Sequence, residues 1–500
     1  MGHLVSRCCL VWPLIMGVLS FIVIRAYGED WREDRNIGDS NLDGTFRMEQ
    51  IKARILLRSR ISPSPAPSFT PTILPRSRVY HVTVYGADPT GKIDSTDAIM
   101  RAISDAFQAP DEDRVLMAGI TDLGGAQVHL DGGIYKISRP LRMPASGGGN
   151  LMIHGGSLRA SDDFPKDRHL IELWPFSSTK MDTANYIPMQ EAVSAFSSSY
   201  EDIKLKDLML DCSLRGGGIL VINSLRTTID NCYITRFTSD GIRVQGGHET
   251  YIRNSFLGQY ITSGRHPNEK NFKGVAINLM GNDNAVTDVV IFSAEVGVLV
   301  SGQANVLTGV HCYNKATGWG GTGIYLRLPG LTQTRIVNCY MDYTGIVAED
   351  PVQLHISGTF FLGDAFVTLK SVNGIARGVS IVDNMFAGGD KGTPIVKLDG
   401  SFTDIDQVEV DRNDVKGMVL KSTVARGSIE GNKTMWAIDF SRVLLFPNLI
   451  KYVQYTLQAT ASFPNHALRN SSMNRVVIES DVPVTATVHV YVQQTMGSIG

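Results

Sequence analysis

Short apolar strands opened by glycine recur after about residue 200, each alternating inward-facing and outward-facing positions. Gly218-Ile219-Leu220-Val221, Gly241-Ile242-Arg243-Val244, Gly274-Val275-Ala276-Ile277, Gly297-Val298-Leu299-Val300, Gly323-Ile324-Tyr325-Leu326 and Gly345-Ile346-Val347-Ala348 start 23, 33, 23, 26 and 22 residues apart. Most of these steps match the period of about 20 to 29 residues of short solenoid repeats. A second strand follows the anchor, as in Thr228-Ile229-Asp230-Asn231-Cys232-Tyr233, Tyr251-Ile252-Arg253-Asn254-Ser255-Phe256 and Arg335-Ile336-Val337-Asn338-Cys339-Tyr340. Its recurring asparagine suits a corner, where it tolerates left-handed backbone and can bond to the neighbouring rung. Later rungs are expected at Ile381-Val382-Asp383-Asn384, Val410-Asp411-Arg412-Asn413 and Ile429-Glu430-Gly431-Asn432. Leucine-rich and propeller repeats are set aside, because neither a Leu-x-x-Leu-x-Leu frame nor a Trp-Asp signature recurs. The pattern predicts an all-β fold, a single-stranded right-handed parallel β-helix.

The flanks follow different patterns. Residues 1–28 read as a signal peptide, with Arg7, an apolar run over residues 10–24 and the small-residue end Ala26-Tyr27-Gly28. Residues 29–78 are a charged leader that ends in the Pro/Ser-rich linker Ser62-Pro63-Ser64-Pro65-Ala66-Pro67-Ser68, a composition that stays extended. From residue 79 a strand, a glycine turn and the helix-starting Asp94-Ser95-Thr96-Asp97 succeed one another. Ala98, Ile99, Ala102, Ile103, Ala106 and Phe107 then mark one helix face, which would cap the open end of the β-helix. The β-helix with this N-terminal cap is expected over 79–440, and a β-rich C-terminal cap over 441–500.

Composition changes the picture in three places. The full chain has 47 basic and 49 acidic residues, and loss of the signal peptide removes only Arg7 and Arg25 from this balance. Such a near-neutral chain lacks the basic face that nucleic acid requires, and no later segment is long and apolar enough for stable membrane insertion. Cys212, Cys232, Cys312 and Cys339 are too scattered for a disulfide scaffold or zinc knuckle, although Cys212 and Cys232 could stack on successive rungs as a bridge or as buried thiols. The sequons Asn432-Lys433-Thr434 and Asn470-Ser471-Ser472 fit an exported glycoprotein, expected as a monomer.

The stretch Val84-Tyr85-Gly86-Ala87-Asp88-Pro89-Thr90-Gly91-Lys92-Ile93-Asp94-Ser95-Thr96-Asp97-Ala98 resembles the entry motif of the pectin-lyase-like superfamily. Together with Gly124-Gly125-Ala126-Gln127-Val128, the rungs and the Pro-rich leader, it is most similar to the plant Quartet-type polygalacturonases. That resemblance implies a secreted, cell-wall-located hydrolase of α-1,4-galacturonan in pectin, working with inversion and with neither cofactor nor metal. Thr238-Ser239-Asp240-Gly241-Ile242 is similar to an Asn-Thr-Asp-Gly region of polygalacturonases, Gly247-His248-Glu249 to Gly-His-Gly, and Arg335-Ile336-Val337 to Arg-Ile-Lys. The Asp-Asp pair of those enzymes is absent after Asp240.

Glycoside hydrolysis needs one carboxyl group to protonate the leaving oxygen and another to activate water or attack. Glu249 lies 8 residues after its anchor Gly241, and Asp283 lies 9 after Gly274, so the two are expected to stack at one turn beside the long insertion of residues 262–273. Stacked turns are about 4.8 Å apart, and splayed side chains reach either retaining or inverting separations. Asp240 is expected to face the same groove, with His248 tuning a proton shared between carboxylates. The expected catalytic residues are therefore Asp240, His248, Glu249 and Asp283. Arg243 and Arg335 are the expected cations for a galacturonate carboxylate, with Asn282, His311 and Tyr313 as further substrate contacts. A polysaccharide lyase and a non-catalytic wall-binding β-helix are the alternatives. Adjacent acidic pairs such as Asp162-Asp163 and Glu349-Asp350 are too few to build the calcium site a lyase favours.

Overall fold

The computed structural model describes residues 78–175 and 198–494, apart from 112, 263, 265, 328, 331 and 461. The expected signal peptide and almost all of the leader lie outside these residues. What is described is a right-handed parallel β-helix with three faces, capped by a helix at its N-terminal end and by an antiparallel sheet at its C-terminal end. The first face is a sheet of ten strands that includes His169–Pro175, Gly217–Ile222, Asp240–Gln245, Val275–Leu279, Val296–Val300 and Thr322–Leu326. Strands such as Thr228–Asp230 and Tyr251–Arg253 build the second face, and Tyr233–Thr235 and Phe256–Gly258 the third.

In-register stacking makes the core a set of columns. Ile219, Ile242, Ile277, Val298, Ile324 and Ile346 follow one another up the first face, and all are fully buried. Immediately before them runs Gly218, Gly241, Ala276, Gly297, Gly323 and Gly345. A Cβ at Gly241 would lie 2.6 Å from the Ala276 carbonyl, and one at Gly297 would lie 2.4 Å from that of Gly323, so this column needs the smallest residues. Ile242 pairs with Ile277, so the equivalent of Gly241 is Ala276 and not Gly274. The expected anchor at Gly274 is therefore two residues early, because the glycine there belongs to the incoming corner and packs against Gln259.

The corner between the second and third faces is left-handed at every rung. Asn231, Asn254, Asp288, Asn338 and Asp383 have φ of 50 to 56°, and the amide of each of the first four donates to a carbonyl of the next rung. Asparagine and aspartate accept this conformation at little cost, which explains their recurrence there. Asn384, one position further on, points inward and is buried. Its Nδ2 donates to the carbonyls of Ile356 (3.1 Å) and Val382 (3.0 Å) and to Asn413 Oδ1 (3.0 Å), while its Oδ1 accepts from the Thr359 amide (3.0 Å).

The capping helix Thr96–Ala106 buries Ala98, Ile99, Ala102, Ile103 and Ala106, the face its periodicity predicts. Its first turn is closed by Asp94, whose Oδ1 accepts from the Thr96 amide at 3.0 Å. At the other end Val424–Asp439, Tyr452–Ala459, His466–Asn470 and Arg475–Gln493 form an antiparallel sheet over Trp436, Val476, Ile478 and Val488. Residues 429–432, expected as a rung, lie within this sheet, with Ile429 opposite Val488. Alternation of period two is common to parallel and antiparallel strands, so it did not distinguish them. The four cysteines are free and buried, and no bridge joins Cys212 to Cys232. Asp211 pairs with Thr235, which sets Cys212 level with Arg236, four residues from Cys232. No helix among the described residues is long and apolar enough to cross a membrane.

Removing the Asn384 side chain leaves buried partners of two adjacent rungs unpaired. Asn384→Ala is expected to destabilise the fold by about 1–3 kcal/mol, measured by urea unfolding, whereas removal of the exposed Asn432 side chain on the C-terminal sheet should have little effect.

Candidate active site

Two polar clusters stand at opposite ends of the strand Asp240–Gln245. With a rise of about 3.3 Å per residue, Asp240 and Gln245 are about 16 Å apart, and Glu249 lies beyond the next corner. Asp240 therefore does not share a groove with Glu249 and Asp283, contrary to the expectation from the chain pattern. Glu249 and Asp283 themselves do stack, because His248 bridges Asn282 in parallel register. The corner holds one extra residue beside Gly247, and this partly offsets the anchor misplaced by two.

The Glu249 and Asp283 corner is exposed and its charges are engaged locally. Glu249 Oε2 lies 3.0 Å from Arg226 Nε, and His248 Nδ1 lies 3.1 Å from Asp283 Oδ2. Both acidic residues have φ of 57°, so they also form the turn. The insertion does not border them. It enters the strand Val275–Leu279 from the opposite corner, where Gly274 donates to Gln259 Oε1 (2.7 Å) and Val275 to the Ser239 carbonyl (3.0 Å). It thus stands beside Asp240.

At that end the outer surface of the first face is polar and partly enclosed. Asp240 is 8% exposed, Asn278 Nδ2 approaches its Oδ2 at 3.4 Å, and Arg243 Nη1 lies 3.8 Å from the same oxygen. Burial raises the Asp240 pKa above the usual carboxylate range, and it outweighs the opposing pull of Arg243 and the Asn278 hydrogen bond. His169, two strands before Asp240 in the sheet, is 5% exposed, and burial pushes its pKa down to about 4, so its ring is neutral at physiological pH. The ring fits only because residue 217 is glycine, whose Cβ would meet His169 Cδ2 at 2.3 Å and the Asp240 carbonyl at 2.4 Å.

Several buried polar atoms here have no hydrogen-bond partner: both ring nitrogens of His169, Arg243 Nε and Asn278 Oδ1. Orphaned polar atoms are costly, and a patch of them around one protonatable carboxyl is suited to a polar ligand such as a sugar acid. Glu172 closes one side, held by Arg142 Nε at 2.8 Å and Arg168 Nε at 2.9 Å. The geometry supplies a proton donor in Asp240, a cation in Arg243 and amide and imidazole hydrogen-bonding groups.

The remaining expected contacts lie on other faces. His311 and Tyr313 belong to the third face, in an aromatic surface where the His311 ring is 5.1 Å from those of Tyr313 and Tyr340, and His311 Nε2 is 2.9 Å from Asp342 Oδ2. Arg335 is exposed on the second face beside Val306 and His355. Neither approaches the first face. The chain pattern does not single out His169, Glu172 or Asn278. The in-register column Glu172, Leu220, Arg243, Asn278 could have revealed two of them, had Ala276 been taken as the anchor.

No protein-family model matches the chain. It is 63% identical over 491 residues to polygalacturonase QRT3 of Arabidopsis thaliana, covering 96% of this chain and 98% of that one. Among solved structures it is similar to PfbA, a surface adhesin of Streptococcus pneumoniae, with 13% identity over 69% of this chain and 88% of that chain and a TM-score of 0.49. It is also similar to the A-module of the mannuronan C-5 epimerase AlgE4 of Azotobacter vinelandii, with 16% identity over 68% and 96% of the two chains and a TM-score of 0.44.

Because burial raises the Asp240 pKa, the folded protein holds that proton more tightly than the unfolded chain. The contribution of Asp240 to stability is then most favourable below an unfolded carboxylate pKa of about 3.9 and declines as pH rises through the elevated folded value. Asp240→Asn should abolish this decline. Thermal unfolding of both proteins across this range is expected to show the variant gaining on wild type as pH rises, and a constant difference would contradict the assignment.

Proposed function

This chain belongs to the plant Quartet-type polygalacturonase family, and on that premise we propose that it is a secreted, cell-wall hydrolase of α-1,4-galacturonan in pectin. The observation that carries the proposal to a site is Asp240, a buried carboxyl with raised pKa set beside Arg243 and a group of unpaired polar atoms. Asp240 is the general acid. Its elevated pKa keeps the proton available for the leaving glycosidic oxygen. Arg243 recognises a galacturonate carboxylate, a charge-assisted contact that its free Nε can strengthen. Asn278 and neutral His169 bond the sugar hydroxyls.

Hydrolysis requires a second carboxylate, and Glu295 is placed to serve as the base. It stands at the same corner as Asp240, just before Val296, which follows Asp240 and Val275 in register. Two strand spacings set the backbones of Asp240 and Val296 about 9.6 Å apart, just beyond the range of about 6.5–9.5 Å between the carboxyl groups of an inverting pair, so the two side chains need to lean together only slightly. Lys315 Nζ, 3.4 Å from Glu295 Oε1, keeps the side chain at the corner. In this reading Glu249, His248, Asn282 and Asp283 shape the opposite corner, and His311, Tyr313 and Arg335 lie outside the reacting centre.

The purified protein is expected to generate reducing ends from polygalacturonate without the ultraviolet-absorbing product of a lyase. Asp240→Asn and Glu295→Gln should each lower kcat by about 100-fold or more, while Glu249→Gln and Asp283→Asn leave it near wild type. Arg243→Ala should raise KM for oligogalacturonides. Loss of hydrolysis in the Glu249 and Asp283 variants, with retention in Asp240→Asn, would move the site to the other corner. Binding of oligogalacturonide by the wild-type protein without cleavage would instead indicate a wall-binding β-helix.

A further inference from the structure

Register places three histidines in one outward column at the N-terminal end of the β-helix. His81 ends the short strand Val79–His81 and pairs with His129, which pairs in turn with His154. Neighbouring parallel strands are about 4.8 Å apart, so the first two imidazoles meet side by side, with ring centroids 5.3 Å apart. Two residues after His129 the chain turns at Asp131, whose φ of 50° swings its carboxylate back over both rings. Asp131 Oδ1 lies 2.5 Å from His81 Nδ1 and 2.8 Å from His129 Nδ1.

The arrangement around this oxygen is that of a built ligand set. Thr83 Oγ1 donates to the other carboxylate oxygen at 2.7 Å, which orients Oδ1 toward the histidines. The His129 ring is seated over Gly155, where a Cβ would come within 3.0 Å of Nε2, and beside the His154 ring at 4.7 Å. The Asp131 amide also points at His129 Nδ1, at 3.3 Å, and it can donate there only if that nitrogen carries no proton. An unprotonated Nδ1 and a carboxylate oxygen 2.8 Å apart oppose their lone pairs, and a cation between them removes the conflict.

We propose that His81 Nδ1, His129 Nδ1 and Asp131 Oδ1 bind a divalent first-row transition cation of the zinc type, on a different sheet from the Asp240 site. These three atoms all lie within 4.8 Å of one another. Metal bonds of about 2.0–2.1 Å in tetrahedral geometry place ligand atoms about 3.3 Å apart, so the two short contacts open by less than about 1 Å. Two imidazoles and one carboxylate suit zinc, cobalt or nickel, whereas calcium takes six or more oxygens. Thr83 is the supporting hydrogen-bond partner that such a carboxylate ligand requires. The bound ion pins the first strand to the first rung, where a β-helix is most open to fraying.

The test uses the mature secreted protein without a polyhistidine tag, freed of metal by chelator and titrated calorimetrically with zinc chloride and optically with cobalt chloride. The expected result is one equivalent bound per chain, with a rise in Tm, and loss of that equivalent in His81→Gln and in His129→Gln. Thr83→Val should weaken affinity by about 10- to 100-fold. Absence of a stoichiometric site, or unchanged affinity in both histidine variants, overturns the proposal. If neither variant folds, X-ray absorption of the wild-type protein with one equivalent of zinc decides: two imidazoles in the shell support the site, and none refutes it.

Discussion

Parallel strands stacked in register at one fixed spacing govern this molecule. Each residue sits above its counterpart in the preceding rung, so whatever a position demands is demanded repeatedly. The column Gly218, Gly241, Ala276, Gly297, Gly323 and Gly345 exists because the next carbonyl leaves little room for a larger side chain. The column Asn231, Asn254, Asp288 and Asn338 exists because each rung turns through the left-handed region at the same place. Buried asparagines such as Asn384 then tie one turn to the next, replacing water for amides and carbonyls that a tight corner cannot pair with a strand.

The same rule converts the outer surface into linear arrays. On the first face Glu172, Leu220, Arg243 and Asn278 align because their strands align. On the second, His81, His129 and His154 do so for the same reason. Chemistry arises where such an array meets a departure from regularity. The insertion enters the sheet beside Ser239, next to Asp240, and the turn at Asp131 brings a carboxylate onto two imidazoles. Burial around Asp240 raises its pKa and leaves neighbouring polar atoms unpaired.

Charged residues at a β-helix corner can look catalytic for structural reasons. Glu249 and Asp283 stack as their spacing suggested, but they occupy left-handed turns and their carboxylates are engaged by Arg226 and His248. Asp240 differs in kind. It sits on a strand, nearly out of solvent, and its partners leave hydrogen-bonding capacity unused.

The fold was legible in the chain because a solenoid writes its geometry as repetition: alternating strands, small residues at the anchor and asparagine at the corner are local demands, each visible in a few residues. The capping helix was legible for the same reason, through Ala98, Ile99, Ala102 and Ile103 on one face. Register was not, since Gly274 and Ala276 satisfy the anchor pattern almost equally and only the pairing of Ile242 with Ile277 distinguishes them. The parallel or antiparallel sense of residues 429–432 was likewise beyond a pattern of period two. Of the candidate site, Asp240 and Arg243 were found from sequence, while His169, Glu172 and Asn278 were not. His169 and Glu172 lie on one strand and Asn278 on another three strands away, so they share a face with Asp240 only through stacking, and burial, which sets the protonation of Asp240 and His169, belongs to the assembled structure and not to any local run of residues.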